Sequence, residues 1–378
     1  MPNTLTFILL FGALQGLLLA VTLFFKKQNQ HANRTLAVAI LCLSLDLLSV
    51  YSTMMGLYKE NPSIFGATHA FPFIYGPIFY LYTKILSGNE KKFRLKYLIH
   101  LIPFVMAHLY VSPFYLLSHQ EKLVRINQYL TEIQTDMLVI GILKPIHGLV
   151  YTALSLNLLE GFSKKIKRGF SNIDKINLDW LKYLIVSTTV VWIVVIISFM
   201  NFFITESAAI FDPIIYLSMS VLIYAIGYGA LNQPEVFTQT EFIDETKAEL
   251  ELAKEKYEKS TLNETDIQKI KTELLKLMNS KKLFLNSELT LAQLSKELGV
   301  TNHNLSEVIN TSFKKNYYDF INAYRVEEFK ERVKNPEFLN YSLLAIAFES
   351  GFSSKSSFNS IFKKFTNQTP SEYIKQVS

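Results

Sequence analysis

Seven apolar runs fill the first 231 residues: Leu5–Phe25, Thr35–Leu57, Ser63–Leu86, Tyr97–Leu117, Met137–Leu159, Trp180–Ile204 and Ile210–Leu231. Each is roughly 20 residues long, enough to cross about 30 Å of hydrocarbon as a helix. The third and fifth contain Pro72, Pro77 and Pro145, which membrane helices tolerate better than soluble ones. The fifth also carries Lys144 and is the least regular. The first is not a cleavable signal peptide, because it lacks a basic leader, is too long and ends in Lys26-Lys27. The alternative, a buried helical core in a soluble protein, explains the apolar runs but not the charges between them.

Those charges alternate. Stretches 26–34, 87–96 and 161–179 hold three, four and five Lys or Arg, whereas the other connections hold only Lys59, Lys122 and Arg125. The positive-inside bias then places the N-terminus outside and, after seven crossings, the C-terminal tail in the cytoplasm. This predicts a multi-pass protein of the inner (cytoplasmic) membrane, with the lipid bilayer as one partner. Cys42 is the one cysteine, so no intrachain disulfide forms.

Ionisable residues within such runs are costly and therefore functional candidates. They are Asp46, His69, His108, Lys144 and His147. Asp46 and Lys144 are expected to pair, or to line a polar pocket with His147; the plainer alternative is a Lys144 that snorkels to an interface. The histidines are too scattered for a metal site, and neither a nucleophile triad nor a glycine-rich phosphate loop is present. Neither catalysis nor a cofactor is expected.

Residues 233–260 are acidic, with four Lys against eight Asp and Glu. Ile243, Leu250 and Tyr257 recur every seven residues, a seam too short to establish a coiled coil. A solvated linking helix is the first expectation, and a homodimer through it stays open.

Beyond the linker, one apolar skeleton occurs twice. Leu294, Gly299-Val300, Leu305 and Val308-Ile309 are echoed by Ile346, Gly351-Phe352, Phe358 and Ile361-Phe362, with one extra residue before Phe358. Each copy reads as helix, glycine turn, helix. Thr290 and Gln293 have capping-box form, and Thr301, Ser342 and Ser353-Ser354 can cap the helices that follow them. Between the copies, Tyr317–Val333 has a helical stripe of Phe320, Ile321, Tyr324, Phe329 and Val333, and as a helix spans roughly 25 Å. With its neighbours it can hold two recognition helices about 34 Å apart, one turn of the major groove. An all-helical domain that binds protein instead is the competing reading.

The segment Leu344-Ala-Ile-Ala347, Gly351-Phe-Ser-Ser354, Phe358-Asn-Ser-Ile-Phe-Lys-Lys364 and Thr369-Pro-Ser-Glu-Tyr373 resembles the signature of AraC/XylS-type transcription regulators. Asn304-Leu-Ser306, Asp319-Phe-Ile-Asn322 and Arg325 resemble the first half of that domain. The resemblance covers about Asn263 to the C-terminus, and it implies a seven-helix DNA-binding domain without enzymatic activity. Tyr75-Gly-Pro-Ile-Phe-Tyr-Leu-Tyr82 resembles a segment in the membrane regions that some such regulators carry.

On the first turns of the two second helices, Asn302, His303, Ser306 and Glu307, and then Lys355, Ser356, Asn359 and Ser360, face away from the apolar stripe. Lys suits guanine, Asn adenine and Glu the cytosine amino group, so these are the base-reading candidates. The serines are short, and water can bridge where they do not reach. Thr301, Lys314, Lys315, Ser353, Ser354, Lys363 and Lys364 are phosphate candidates, which set affinity and register rather than sequence. Arg325, near Glu328, reads as structural. From Thr261 onward sixteen Lys and Arg face thirteen Asp and Glu, a mildly basic module.

The fold expected is all-α: a polytopic seven-helix membrane domain (1–232), an acidic helical linker (233–262) and a tandem helix-turn-helix domain (263–378). The function expected is a membrane-integral transcription regulator. Its partners would be double-stranded DNA, the bilayer, a signal molecule of unknown nature and the transcription machinery. A transporter or a membrane scaffold whose tail signals or binds protein is the alternative, and proteolytic release of the tail is a variant.

Overall fold

The computed structural model describes residues 4–88, 94–131, 135–205, 213–233, 262–338 and 340–377. It is helical throughout, with one isolated β-bridge, Phe170 with Thr290, among the described residues. The expected seam residues Ile243, Leu250 and Tyr257 lie outside the described residues. The chain divides into two compact units, Met1–Glu160 with Leu178–Phe237, and Gly161–Asn177 with Thr238–Ser378.

The first unit contains α1 (Thr4–Phe25), α2 (Gln30–Met54), α3 (Pro72–Leu86), α4 (Ile102–Leu116), α5 (His119–Thr131), most of α6 (Thr135–Gly169), α7 (Asp179–Thr205) and α8 (Pro213–Asn232). Among the described residues six helices are long and apolar enough to cross a membrane: Thr4–Phe25, Gln30–Met54, Leu95–Leu116, Met137–Gly169, Asp179–Met200 and Pro213–Asn232. The third expected run departs from this. Its first part breaks into a short 3₁₀ turn, Pro62–Ile64, and turns around Gly66, and only Pro72–Leu86 is α-helical. Proline lacks the N–H that would continue a helix, so Pro62 and Pro72 both fall at helix starts. The 15-residue α3 is about 22 Å long.

Small residues let the apolar helices approach closely. At Gly16 an added Cβ would lie 2.1 Å from Ser44 Oγ and 3.2 Å from Ile223, so α1, α2 and α8 meet at a point that admits no side chain. Large apolar side chains instead face outward, among them Phe11, Leu18, Met106, Leu116, Ile197 and Val221.

The second unit holds seven α-helices among its described residues after 262: α9 (Glu264–Lys281), α10 (Leu291–Leu298), α11 (Asn302–Phe313), α12 (Tyr317–Lys334), α13 (Leu343–Glu349), α14 (Lys355–Thr366) and α15 (Pro370–Val377). Local chemistry sets their ends. Thr290 and Gln293 complete a reciprocal capping box on α10. Thr301, Ser342 and Ser354 accept from Asn304, Ala345 and Ser357 N–H, each at 3.1 Å. Thr369 and Glu372 close α15 in the same reciprocal way, at 2.7 and 3.3 Å. Each cap satisfies donors that the first helical turn leaves open.

Helix α12 joins two cores. Phe320 and Ile321 pack with Leu274, Leu294, Leu305 and Val308. Val326 and Phe329 pack with Ile346, Phe352, Phe358 and Phe362. One rigid helix therefore carries both helix-turn-helix halves, as the stripe from Phe320 to Val333 requires.

Candidate DNA interface and a buried polar cavity

The two recognition helices present different faces. On α14, Lys355, Ser356, Asn359 and Ser360 are exposed, while Phe358, Ile361 and Phe362 are buried on the opposite face. On α11, Asn302, His303, Ser306 and Glu307 are half-buried. Asn302 accepts from the Ser295 hydroxyl. His303 Nδ1 lies 3.7 Å from Glu307 one turn later, and Ser306 accepts from Asn310 at 3.4 Å. The first helix therefore begins from internal contacts, whereas the second offers its polar side chains directly.

The phosphate candidates also divide. Lys363 is exposed at the end of α14, but Lys364 donates to Asp319 at 2.5 Å. Lys315 lies over the Phe365 ring at 5.6 Å. Lys314 is exposed and holds a left-handed backbone (φ 54°) at the end of α11. Thr301 is committed to its cap. Ser353 and Ser354 donate to a single oxygen of Asp174, at 3.0 and 2.7 Å.

Asp174 belongs to Gly161–Asn177, which contacts place in this second unit. Its residues 170–174 are seated one after another. Phe170 pairs with Thr290, the Ser171 hydroxyl donates to Leu289 carbonyl at 2.6 Å, and Ile173 packs against the core around Phe329. Tyr318, beside it, is pushed up to about 12 by burial and, secondarily, by the carboxylates of Asp174 and Asp319.

Arg325 locks the segment in place. It is 2% exposed and donates to the carbonyls of Phe284, Asn286 and Ser171 at 2.8, 2.8 and 3.0 Å, and to the Ser171 hydroxyl at 3.0 Å. Burial pulls its guanidinium down to about 10. Glu328, which the spacing placed within its reach, instead binds Lys282 and Arg332 at 2.7 and 2.8 Å. The positions that sequence reasoning did not single out are Ser171 and Asp174. They sit in a basic connection far from the motif, with no local pattern to mark them.

In the first unit a cavity of about 490 Å³ is lined by Asp46, His69 and Lys144 together with mainly apolar and aromatic side chains. Asp46 accepts from Thr68 at 2.6 Å and from Tyr75 at 2.7 Å, one hydroxyl on each oxygen. Lys144 donates to His69 Nδ1 at 3.2 Å. The expected pair thus shares a cavity but is not an ion pair within 4.0 Å among the described residues. His147 stands apart from the lining, its ring against Phe73 and Tyr151 at 5.3 and 4.8 Å. His108 stacks with Phe104 and Tyr115. Thr68 and Tyr75 were the partners that spacing alone did not reveal.

Residues 294–376 match the family model described as a helix-turn-helix domain. An uncharacterized HTH-type transcriptional regulator of Staphylococcus aureus strain COL is 33% identical over 91 residues, 24% of this chain and 12% of the relative. Counterparts in strains MSSA476 and N315 show the same identity and coverage. The match thus spans about one eighth of the length of these relatives. No solved structure matches the chain. The tandem units on α10–α11 and α13–α14, the caps that frame them and this match agree: the C-terminal part of the chain is a helix-turn-helix domain of the AraC type.

Proposed function

We propose that the chain is a membrane-integral transcription regulator that binds promoter DNA through its two helix-turn-helix units in response to a signal received by its apolar helices. The carrying observation is the exposed polar face of α14, with Lys355, Ser356, Asn359 and Ser360 opposite a packed Phe358–Phe362 core. Lys and Asn at the start of a recognition helix are groups that read base edges in the major groove. His303 and Glu307 join them on α11 once their mutual contact opens. The work is binding and population shift, not catalysis.

Six apolar helices and the contrast between the units support the membrane reading. In the first unit, exposed large apolar side chains recur on almost every long helix, whereas after residue 262 only Tyr341 and Phe348 are of that kind among the described residues. Patches of that extent are stable facing lipid and not water. The basic stretches 26–34 and 87–96 fall on one side only if the segment containing α3 also crosses, its 3₁₀ turns completing the passage. This reading puts the N-terminus outside and the DNA-binding domain in the cytoplasm.

The test is genome-wide DNA occupancy of the full-length, membrane-inserted protein beside its Lys355→Ala/His303→Ala variant. Discrete sites lost in the variant are expected. Equal enrichment for both would sink the base-reading assignment.

A further inference from the structure

The cavity of the first unit carries a charge pattern that specifies an occupant. Both Asp46 oxygens accept hydroxyl hydrogens, so the acid is satisfied. The Lys144 ammonium has three donors, and one goes to His69. Asp46 acts on it from across the same cavity, but no carboxylate oxygen among the described residues lies within 4.0 Å of it. A cation at this depth is stabilised by an anion brought to it. The walls beside it are aromatic because α6 has glycines at i−3 and i+4. An added Cβ at Gly141 would lie 2.3 Å from the Phe199 ring, and one at Gly148 would lie 2.2 Å from the Trp192 indole. Two flat rings thus reach the wall that carries Lys144, in a volume of about 490 Å³, within the usual range for small ligands.

We propose that this cavity binds an amphipathic monoanion, its head on Lys144 and its apolar body against Trp192 and Phe199. The inference rests on the sensing role proposed above and names the class of signal. The probe is decanoate, titrated onto full-length protein in phosphatidylcholine nanodiscs, with decanol and decyltrimethylammonium as comparisons. Tryptophan emission is the readout, and a Trp192→Phe variant separates Trp192 from Trp180. A saturable response to decanoate, at least tenfold tighter than to decanol, is expected, kept in Lys144→Arg and lost in Lys144→Met. Loss of the decanoate response in phosphatidylglycerol nanodiscs would identify an anionic lipid headgroup as the source of the same chemistry. Equal responses to all three probes, or an unchanged response in Lys144→Met, would overturn the inference. Since none of these readouts involves DNA, their failure leaves the regulator reading to the occupancy experiment.

A separate observation concerns the contact of Asp174 with the start of α14. Ser353 and Ser354 offer hydroxyls at the N-terminal end of a recognition helix, where backbone N–H groups and the helix dipole favour an anion. In DNA complexes of such helices that anion is a phosphate. Here the Asp174 carboxylate takes both hydroxyls, and a phosphate cannot take them at the same time. We infer that Asp174 holds α14 in a DNA-incompetent state and that backbone contact at Ser353 and Ser354 requires its withdrawal. Backbone contacts are sequence-independent, so a fluorescein-labelled duplex of random sequence serves as probe for the full-length protein. Asp174→Asn is expected to tighten binding roughly tenfold, and Glu349→Gln, the same charge change on exposed α13, by much less. Equal gains for the two, or none for Asp174→Asn, would overturn the lock. Amide exchange around Arg325 reports whether the segment stays seated: a gain with the segment seated assigns the effect to the carboxylate, and detachment without a gain also overturns the lock.

Discussion

The Arg325 guanidinium donates to both the carbonyl and the hydroxyl of Ser171, at 3.0 Å each, across 154 residues of sequence. No carboxylate lies within 4.0 Å of this buried cation among the described residues, so neutral acceptors offset most of its desolvation cost and the more distant Glu288 carboxylate adds a smaller part. The carbonyls of Phe284 and Asn286 complete the set, and Asn322, itself buried, donates to Ser171 carbonyl at 3.0 Å. The planar fork of arginine matches several acceptors at once, which an ammonium does not.

Arg325→Met is therefore expected to destabilise the second unit by about 3 kcal/mol, because it leaves several buried carbonyls without donors. Arg325→Lys should recover less than half of that. Ser171→Ala, which deletes one hydroxyl, should cost about 1 kcal/mol. Thermal unfolding followed by near-ultraviolet circular dichroism ranks the three, and equal stabilities for the Met and Ala variants would disprove the locking role.

The two repeat glycines predict different tolerances. Gly299 ends α10 at φ 66° in open space, so Gly299→Asn should cost only a few tenths of a kcal/mol, since asparagine visits this region. Gly351 stands at φ 93°, and an added Cβ would lie 2.4 Å from the Phe284 carbonyl oxygen. Backbone is a poor partner to displace, so Gly351→Asn and Gly351→Ala should each cost about 3 kcal/mol. Urea midpoints of the two Asn variants measure the contrast directly.

Caps at Thr290, Thr301 and Ser342, the turn glycines and the stripe on α12 are local, each fixed by neighbours within one or two turns. They were legible because periodicity and capping are short-range. What was not legible is long-range: the seating of Ser171 against Arg325, the meeting of Asp174 with Ser354, and the hydroxyls of Thr68 and Tyr75 on Asp46. Asp46 and Lys144 were recognisable as costly in an apolar run, but their separation across one cavity is a tertiary fact. The third run shows the opposite case: its apolar length suggested one unbroken helix, while Gly66 and Pro72 carried a local signal that the helix starts only at Pro72.

Acid should weaken the second unit through Glu328. Burial alone would raise its carboxyl, but hydrogen bonds from Lys282 and Arg332 overcome this and hold it below the ordinary value of 4.5. A carboxyl depressed in the folded state contributes stability that is complete above about 4.5 and is lost as pH falls through the lower folded value. Glu328→Gln should flatten that acid limb while lowering stability at neutral pH. Unfolding midpoints between pH 3 and 7 give both quantities, and an unchanged acid limb would remove Glu328 as its cause.

Lys363 and Lys364 are adjacent in sequence but should differ on DNA. Lys363 is exposed with its charge available, whereas Lys364 is held at 2.5 Å by Asp319 and must leave that partner to reach a phosphate. Each phosphate contact releases about one counterion, so Lys363→Ala should lower the salt slope of binding by about 1 and weaken all sequences alike. Lys364→Ala should change the slope by less than half as much, because the wild-type charge is already partly neutralised. Lys355→Ala should instead cost about 1–3 kcal/mol on a cognate site and much less on random duplex, because its loss removes base discrimination rather than backbone attraction. Fluorescence anisotropy at several salt concentrations, on a site found by occupancy and on random duplex, separates the three variants. Identical slopes for the two lysine variants would show that the Asp319 contact dissolves before DNA arrives.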